Sequence, residues 1–273
     1  MGMRHIEGFL QEDDCRILAV CDVDAARRAA AVKRVNEAYR TGDCASFNDF
    51  RDLIARPDID TLCIAVPDHW HAVQTIHACE SGKHVYVEKP CSHNAWEGRQ
   101  MVAAARKYDR VVQVGTQNRS APYNLAAKRY LEEGKLGRVH LCRVFNQKFV
   151  ADFQWGPDSD PPDTLDWDLW NGPAPEHAYN DTFRWHWHHL WRYCIGDIGN
   201  DGAHQFDEAR MIVAALAAKH ASVGGRQKVD LRLQRFLAAH AHKQLRLEAG
   251  QPQQVQFVVA SHQWQAVRGA EPA

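Results

Sequence analysis

Between residues 16 and 114 the chain alternates short β-rich runs with longer stretches of helical spacing: RILAVCD, DAARRAAAVKRVNEAY, TLCIAV, HAVQTIHACESG, HVYVE, EGRQMVAAARKY and VVQV. Strands separated by helix-length crossovers can pair only in parallel, so the rhythm predicts strand–helix–strand units rather than hairpins. The β-rich runs are apolar throughout, which suits the middle of a sheet covered on both faces. The expected fold is α/β: a doubly wound parallel sheet, binding ligands where its strands end. No strand-like run precedes RILAVCD, so the sheet is expected to lack its first strand.

Past residue 116 the rhythm breaks. A helical stretch, APYNLAAKRYLEEGKLG, leads to one long strand, RVHLCRVFNQKF, and then to a loop from 151 to 182 rich in Asp, Pro and Trp. A domain boundary is placed near 118, giving residues 1–118 as a dinucleotide-binding unit and 119–273 as a partial mixed α/β domain. Residues 211–273 carry a balance of +5 against −6 for residues 1–210, with nine glutamines. Stretches such as LRLQRFLAAHAHKQLRL suit a basic amphipathic helix, but no pattern of strands and turns can be followed there.

With 273 residues, 45% of them hydrophobic, the chain can bury a sizeable core. Lys and Arg total 33 against 34 for Asp and Glu, so no global field favours nucleic acid or an anionic membrane. The longest apolar runs are too short to span a bilayer. Eight cysteines stand singly with no CxxC pair, which predicts free thiols in a reducing compartment. A cytoplasmic location is expected, with secretion or a periplasmic location left open.

The strand ends hold the candidate chemistry. RILAVCD closes on Asp22, where a dinucleotide fold places an acid for the ribose hydroxyls, while a turn aspartate fits equally well. AVPDHWH puts Pro67, Asp68 and His71 after the next strand; Asp68 suits a helix cap and a ligand contact alike. VYVEKP ends a third buried strand with Glu88, Lys89 and Pro90. Lysine at that edge can orient a hydroxyl and, partly desolvated, move a proton, although the tripeptide alone reads as a surface turn. In GDIGNDGAHQFDEAR, a helix starting near Asn200 would align Asn200, His204 and Asp207, with His204 a candidate general base. WHWHHLW clusters His186, His188 and His189. As a strand it would point only two of them the same way, which argues against a metal and leaves a carbohydrate-contacting wall or a core segment. No metal is expected.

The combination AVPDHWHAVQTIHACESGKHVYVEKP, VVQVGTQNRS and GDIGNDGAHQFDEAR closely resembles the Gfo/Idh/MocA oxidoreductase family over about residues 1–210. The resemblance implies a Rossmann domain holding NAD or NADP, with NAD favoured by Asp22. It also implies an α/β domain whose open sheet mediates homo-oligomer contacts, and oxidation of a sugar or polyol hydroxyl. Carried over by position, Lys89 matches the catalytic lysine, His204 the histidine that assists proton removal and Asp22 the ribose-binding acid. Gly2, Pro67, Asp68, His71, Glu88, Lys89 and Gln117 match cofactor-contacting positions. Asn200 stands where many members have aspartate, so it can orient His204 but cannot share its charge. Only Gly2 remains of the glycine loop, which is expected to deprive a pyrophosphate of its helix N-terminal anchor. A truncated front and a shifted reading frame after about residue 215 are expected. Two alternatives stand beside the dehydrogenase reading: redox-neutral NAD-dependent glycoside processing, and a catalytically silent nucleotide binder.

Overall fold

A computed structural model of the chain describes residues 1–137, 141–145 and 154–221, with side chains as far as residue 212. Five short strands, β1 (Ala19–Cys21), β2 (Ala45–Phe47), β3 (Thr61–Ile64), β4 (His84–Glu88) and β5 (Val112–Gly115), pair only in parallel. The helices among them are α1 (Gly2–Phe9), α2 (Ala25–Tyr39), α3 (Phe50–Ile54), α4 (Asp68–Glu80) and α5 (Ala95–Lys107). Strand β1 is shorter than its apolar run. Strand β2 was not anticipated, because ASF is three residues long and only partly buried, too little for a periodic signal.

Local chemistry explains the helix starts. The Asp24 carboxylate accepts hydrogen bonds from the backbone N–H groups of Ala26 and Arg27 at the head of α2. At α5, Asn94 accepts from Glu97 N, and Glu97 in turn accepts from His93 N at 2.9 Å, a reciprocal cap. The expected Asp68 cap is corrected: Pro67 is the cap residue of α4, and Asp68 is its first helical residue with no capping bond.

The pairing order is β1 with β2, and separately β3 with β4 with β5. The chain therefore winds outward in one direction from β1 and in the other from β3, which makes the β1/β3 junction the point where strand order reverses. Strands β1 and β3 share no ladder. They are joined by apolar packing, in which Val20, Cys63 and Ile6 of α1 belong to one buried cluster. A larger cluster, including Ala19, Leu53, Leu62, Val85, Val87 and Met101, fills the space between the sheet and helices α3 to α5.

After β5 come α6 (Pro122–Glu132), α7 (Trp167–Asn171), α8 (Asp181–His186), α9 (Gly196–Asn200) and α10 (Gly202–Ala221). No strand forms here among the described residues, so the partial mixed sheet expected beyond residue 118 is not seen in them. The strand expected over 138–149 falls largely outside the described residues, and 141–145 are not strand. The basic helix expected over 231–247 lies outside them entirely. WHWHHLW is not an alternating strand. It runs from the end of α8 into a 3-10 turn at Trp187–His189, which brings the rings of His186, His188 and His189 to between 4.0 and 6.4 Å of one another.

The 154–200 region is built on aromatic rings. Trp167 and Trp170 stack at 4.8 Å, and Tyr179 and Tyr193 meet them edge-on at 5.2 and 5.0 Å. It docks on the end of β1, where Ala25 N donates to Thr164 O at 2.8 Å and Asn48 Nδ2 to Asp166 Oδ2 at 2.8 Å. Arg184 pairs with Asp24 there, both nearly buried. Among the described residues, no helix is long and apolar enough to cross a membrane. All eight cysteines are free thiols.

Candidate active site at the carboxyl edge of the sheet

Lys89 follows the last residue of β4, so the parallel ladder delivers its side chain to the carboxyl edge of the sheet. Its Nζ donates to Asn200 Oδ1 at 2.6 Å and to the Asn200 backbone oxygen at 2.8 Å, across 111 residues of sequence. His204 stands in the first turn of α10, half-buried. Burial first, and then the Lys89 ammonium, lower its pKa below the ordinary histidine value. Among the described residues its Nδ1 has no hydrogen-bond partner. A cation, a neutral imidazole and an amide thus converge where strands end. The helix expected to begin near Asn200 is corrected: Asn200 closes α9, Asp201 intervenes, and α10 begins at Gly202. Asn200 reaches Lys89 because it ends its own short helix. Asp207 is engaged elsewhere, by Arg119.

The neighbouring residues hold this arrangement. Glu88 is 4% exposed, with His5 Nε2 at 2.7 Å and its own Oε2 accepting from Lys89 N at 3.1 Å. Burial works against its charge, yet these hydrogen bonds and nearby cations keep its pKa below the usual glutamate value. The His71 ring is fully buried between two carbonyls, Nδ1 at 2.6 Å from Pro90 O and Nε2 at 2.9 Å from Val66 O. It ties the turn that carries Lys89 to the end of β3. Asp68 is 2% exposed, and burial raises its pKa against the opposing pull of His71, Cys194, Lys89 and His93. Among the described residues its Oδ2 has no hydrogen-bond partner.

At the order-reversal point, a cleft lies between the ends of β1 and β3, lined by Asp22, Val23, Phe50, Pro67, Trp70 and Gln74 among others. Asp22 is 3% exposed; its Oδ1 accepts from Asp24 N at 2.8 Å, and its backbone oxygen accepts from Arg28. An acid so fixed beside an apolar cleft suits a ribose under an adenine ring. Helix α1 starts at buried Gly2 with no side-chain cap, within electrostatic reach of Glu88 and Arg27. The N-terminal end of α1 thus lies at Gly2. Gln117 opens the 3-10 turn after β5, exposed on the same edge. These residues fit a dinucleotide. Among the described residues no group of three or more His, Cys, Asp or Glu is set to hold a metal ion.

Sequence reasoning missed the aromatic floor. Trp70 Nε1 donates to Trp170 O at 3.2 Å, and His69, 4% exposed, packs against Trp170 and Tyr193. The only signal was the tryptophan density of 155–191, which gives no pairing partners.

A parallel sheet with a ligand cleft at its order reversal has the architecture of a dinucleotide-binding domain. Residues 1–116 match the family model described as oxidoreductase family, NAD-binding Rossmann fold. Levoglucosan dehydrogenase of Pseudarthrobacter phenanthrenivorans is 34% identical over 161 residues, 59% of this chain and 39% of the relative. The uncharacterized oxidoreductase YrbE of Bacillus subtilis is 31% identical over 144 residues, 53% of this chain and 40% of the relative. A solved levoglucosan dehydrogenase in complex with NADH superposes with a TM-score of 0.54 at 25% identity, covering 77% of this chain and 49% of that one. The chain spans about two-fifths of the length of these curated relatives.

Proposed function

We propose that the chain acts as an NAD-dependent oxidoreductase that oxidises a secondary hydroxyl of a sugar or polyol. NAD, when bound, supplies the acceptor for the hydride. His204, kept neutral near pH 7 by burial and by Lys89, takes the hydroxyl proton. The Lys89 ammonium hydrogen-bonds the substrate oxygen and stabilises the negative charge that grows there as the proton leaves. Asn200 aims Lys89, accepting two of its three protons and leaving the third for substrate. Glu88 and His71 hold the turn so that the ammonium does not drift. Asp22 and the start of α1 take the ribose and pyrophosphate.

The observation that carries this reading is the Lys89–Asn200 contact beside His204, at the strand end next to the dinucleotide cleft. Assembly into a homo-oligomer belongs to the same proposal, supported by the exposed apolar residues Tyr123, Leu136, Leu141 and Phe145.

The test is a panel of sugars, cyclitols and sugar alcohols with NAD, followed by NADH absorbance. Steady NADH accumulation with one substrate class is expected. Substrate consumption without net NADH would replace the reading by redox-neutral glycoside processing. Calorimetry showing no NAD or NADP binding by the folded protein would mark it as catalytically silent.

A further inference from the structure

Beside the Lys89 centre lies a second pocket, lined by His69, His93, Glu97, the Pro173–Pro175 segment, Trp191 and Arg192. None of the roles proposed above uses it. Its position links it to the reaction site. His93 lies four residues beyond Lys89 on the same strand-end loop, and the Asp68 carboxyl, at the head of α4, feels the charges of both Lys89 and His93.

The chemistry of its walls is specific. Trp191 is 78% exposed, with its ring centroid 6.4 Å from that of His93, and His93 Nε2 lies 2.8 Å from the Trp191 backbone oxygen, so the imidazole is tied to the main chain that carries the indole. Glu97 is anchored by His93 N and Asn94 Nδ2, which holds a carboxylate at the head of α5. The Arg192 guanidinium sits over the Phe183 and Tyr193 rings at 5.4 and 5.9 Å, and among the described residues no carboxylate pairs with it. One fixed acid and one fixed base leave the pocket without net charge, which disfavours a phosphate or a sugar acid. An open indole face takes the apolar side of a ring, while Glu97 and Arg192 offer an acceptor and donors to hydroxyls around its edge. A neutral saccharide ring presents both.

We infer that this pocket is a second sugar-ring subsite, so that the substrate is a neutral glycoside or disaccharide whose first ring meets Lys89 and His204 and whose second ring rests on Trp191. The inference depends on the sugar-oxidising reading above and narrows its substrate class. The pocket adds affinity without touching the reacting hydroxyl, so its loss weakens binding of the two-ring ligand and leaves the one-ring ligand as before.

Calorimetric titration of the full chain, loaded with NAD, tests this with glucose, galactose and myo-inositol against maltose, cellobiose, lactose and methyl glucosides. The tightest ligand is expected to be a two-ring saccharide, at least tenfold tighter than its own free ring. Trp191→Ala should abolish that advantage without changing one-ring binding, and Trp191→Phe should restore part of it. A one-ring ligand that binds tightest, an advantage that survives Trp191→Ala, or a panel in which nothing binds would each overturn the subsite. Two-ring binding that vanishes with Trp191→Ala while no NADH ever forms would instead keep the subsite and remove the dehydrogenase reading.

Discussion

The two regions that meet at Lys89 are stabilised in different ways. Residues 1–116 form a parallel sheet whose strands pair by main-chain ladders and whose interior is filled by small and branched apolar side chains. Residues 154–200 have no ladder among the described residues; a stack of Trp167, Trp170, Tyr179 and Tyr193 holds them together, and ion pairs and caps fasten them to the end of β1. The first region offers a laddered sheet edge that carries Lys89 just past the end of β4. The second supplies the partner groups, Asn200 and the aromatic walls, by wrapping over that edge.

Three changes should break this contrast, in decreasing order of effect on stability. Trp170 is 2% exposed at the centre of the ring stack, so Trp170→Ala should destabilise the aromatic region by about 4 kcal/mol. Hydrogen exchange should then rise across residues 154–200 and stay protected in β3 to β5; uniform loss in both would show that the regions share one core. Asp24→Asn keeps the α2 cap but leaves Arg184 nearly buried without its counter-charge, a loss of about 3 kcal/mol measurable by denaturant titration.

The third lies at the seam. Burial lowers the His69 pKa to about 3, so the folded protein keeps this ring neutral where the unfolded chain protonates it near 6.5. The unfolded state therefore binds more protons as pH falls below about 6.5, and folding stability drops with it, by ~1.4 kcal/mol per pH unit from this group until the folded pKa is reached. His69→Phe should flatten the stability profile between pH 6 and 4 by that slope. An unchanged slope would place the acid sensitivity in other groups.

The contrast also governs what the sequence makes legible. Strands β3, β4 and β5 and the helices after them are written in local periodicity, since β3 is buried throughout, β4 and β5 are buried or half-buried at every residue, and each crossover is long. Asp22, Lys89 and His204 were accessible because strand ends and a glycine step mark their places. Strand β2 was not, because three half-buried residues carry no period. The WHWHHLW segment was misread because alternation of aromatic and histidine residues looks like a strand, whereas ring packing against Tyr193 and the Asn180 cap of α8 decide in favour of helix. The offset between Asn200 and α10 was also illegible: Asp201 intervenes between two helices, and which one Asn200 joins depends on its contact with Lys89, 111 residues away.

Lys89 is the group proposed to act on the substrate oxygen while other residues hold the cofactor. The most direct measurement is NADH formation by Lys89→Met with the sugar or polyol found in the panel, alongside calorimetric NAD affinity of the same variant. Turnover is expected to fall by about 10²- to 10⁴-fold, with the NAD dissociation constant changed by less than about threefold. Turnover that survives the substitution, with NAD still bound, would contradict the assignment of Lys89.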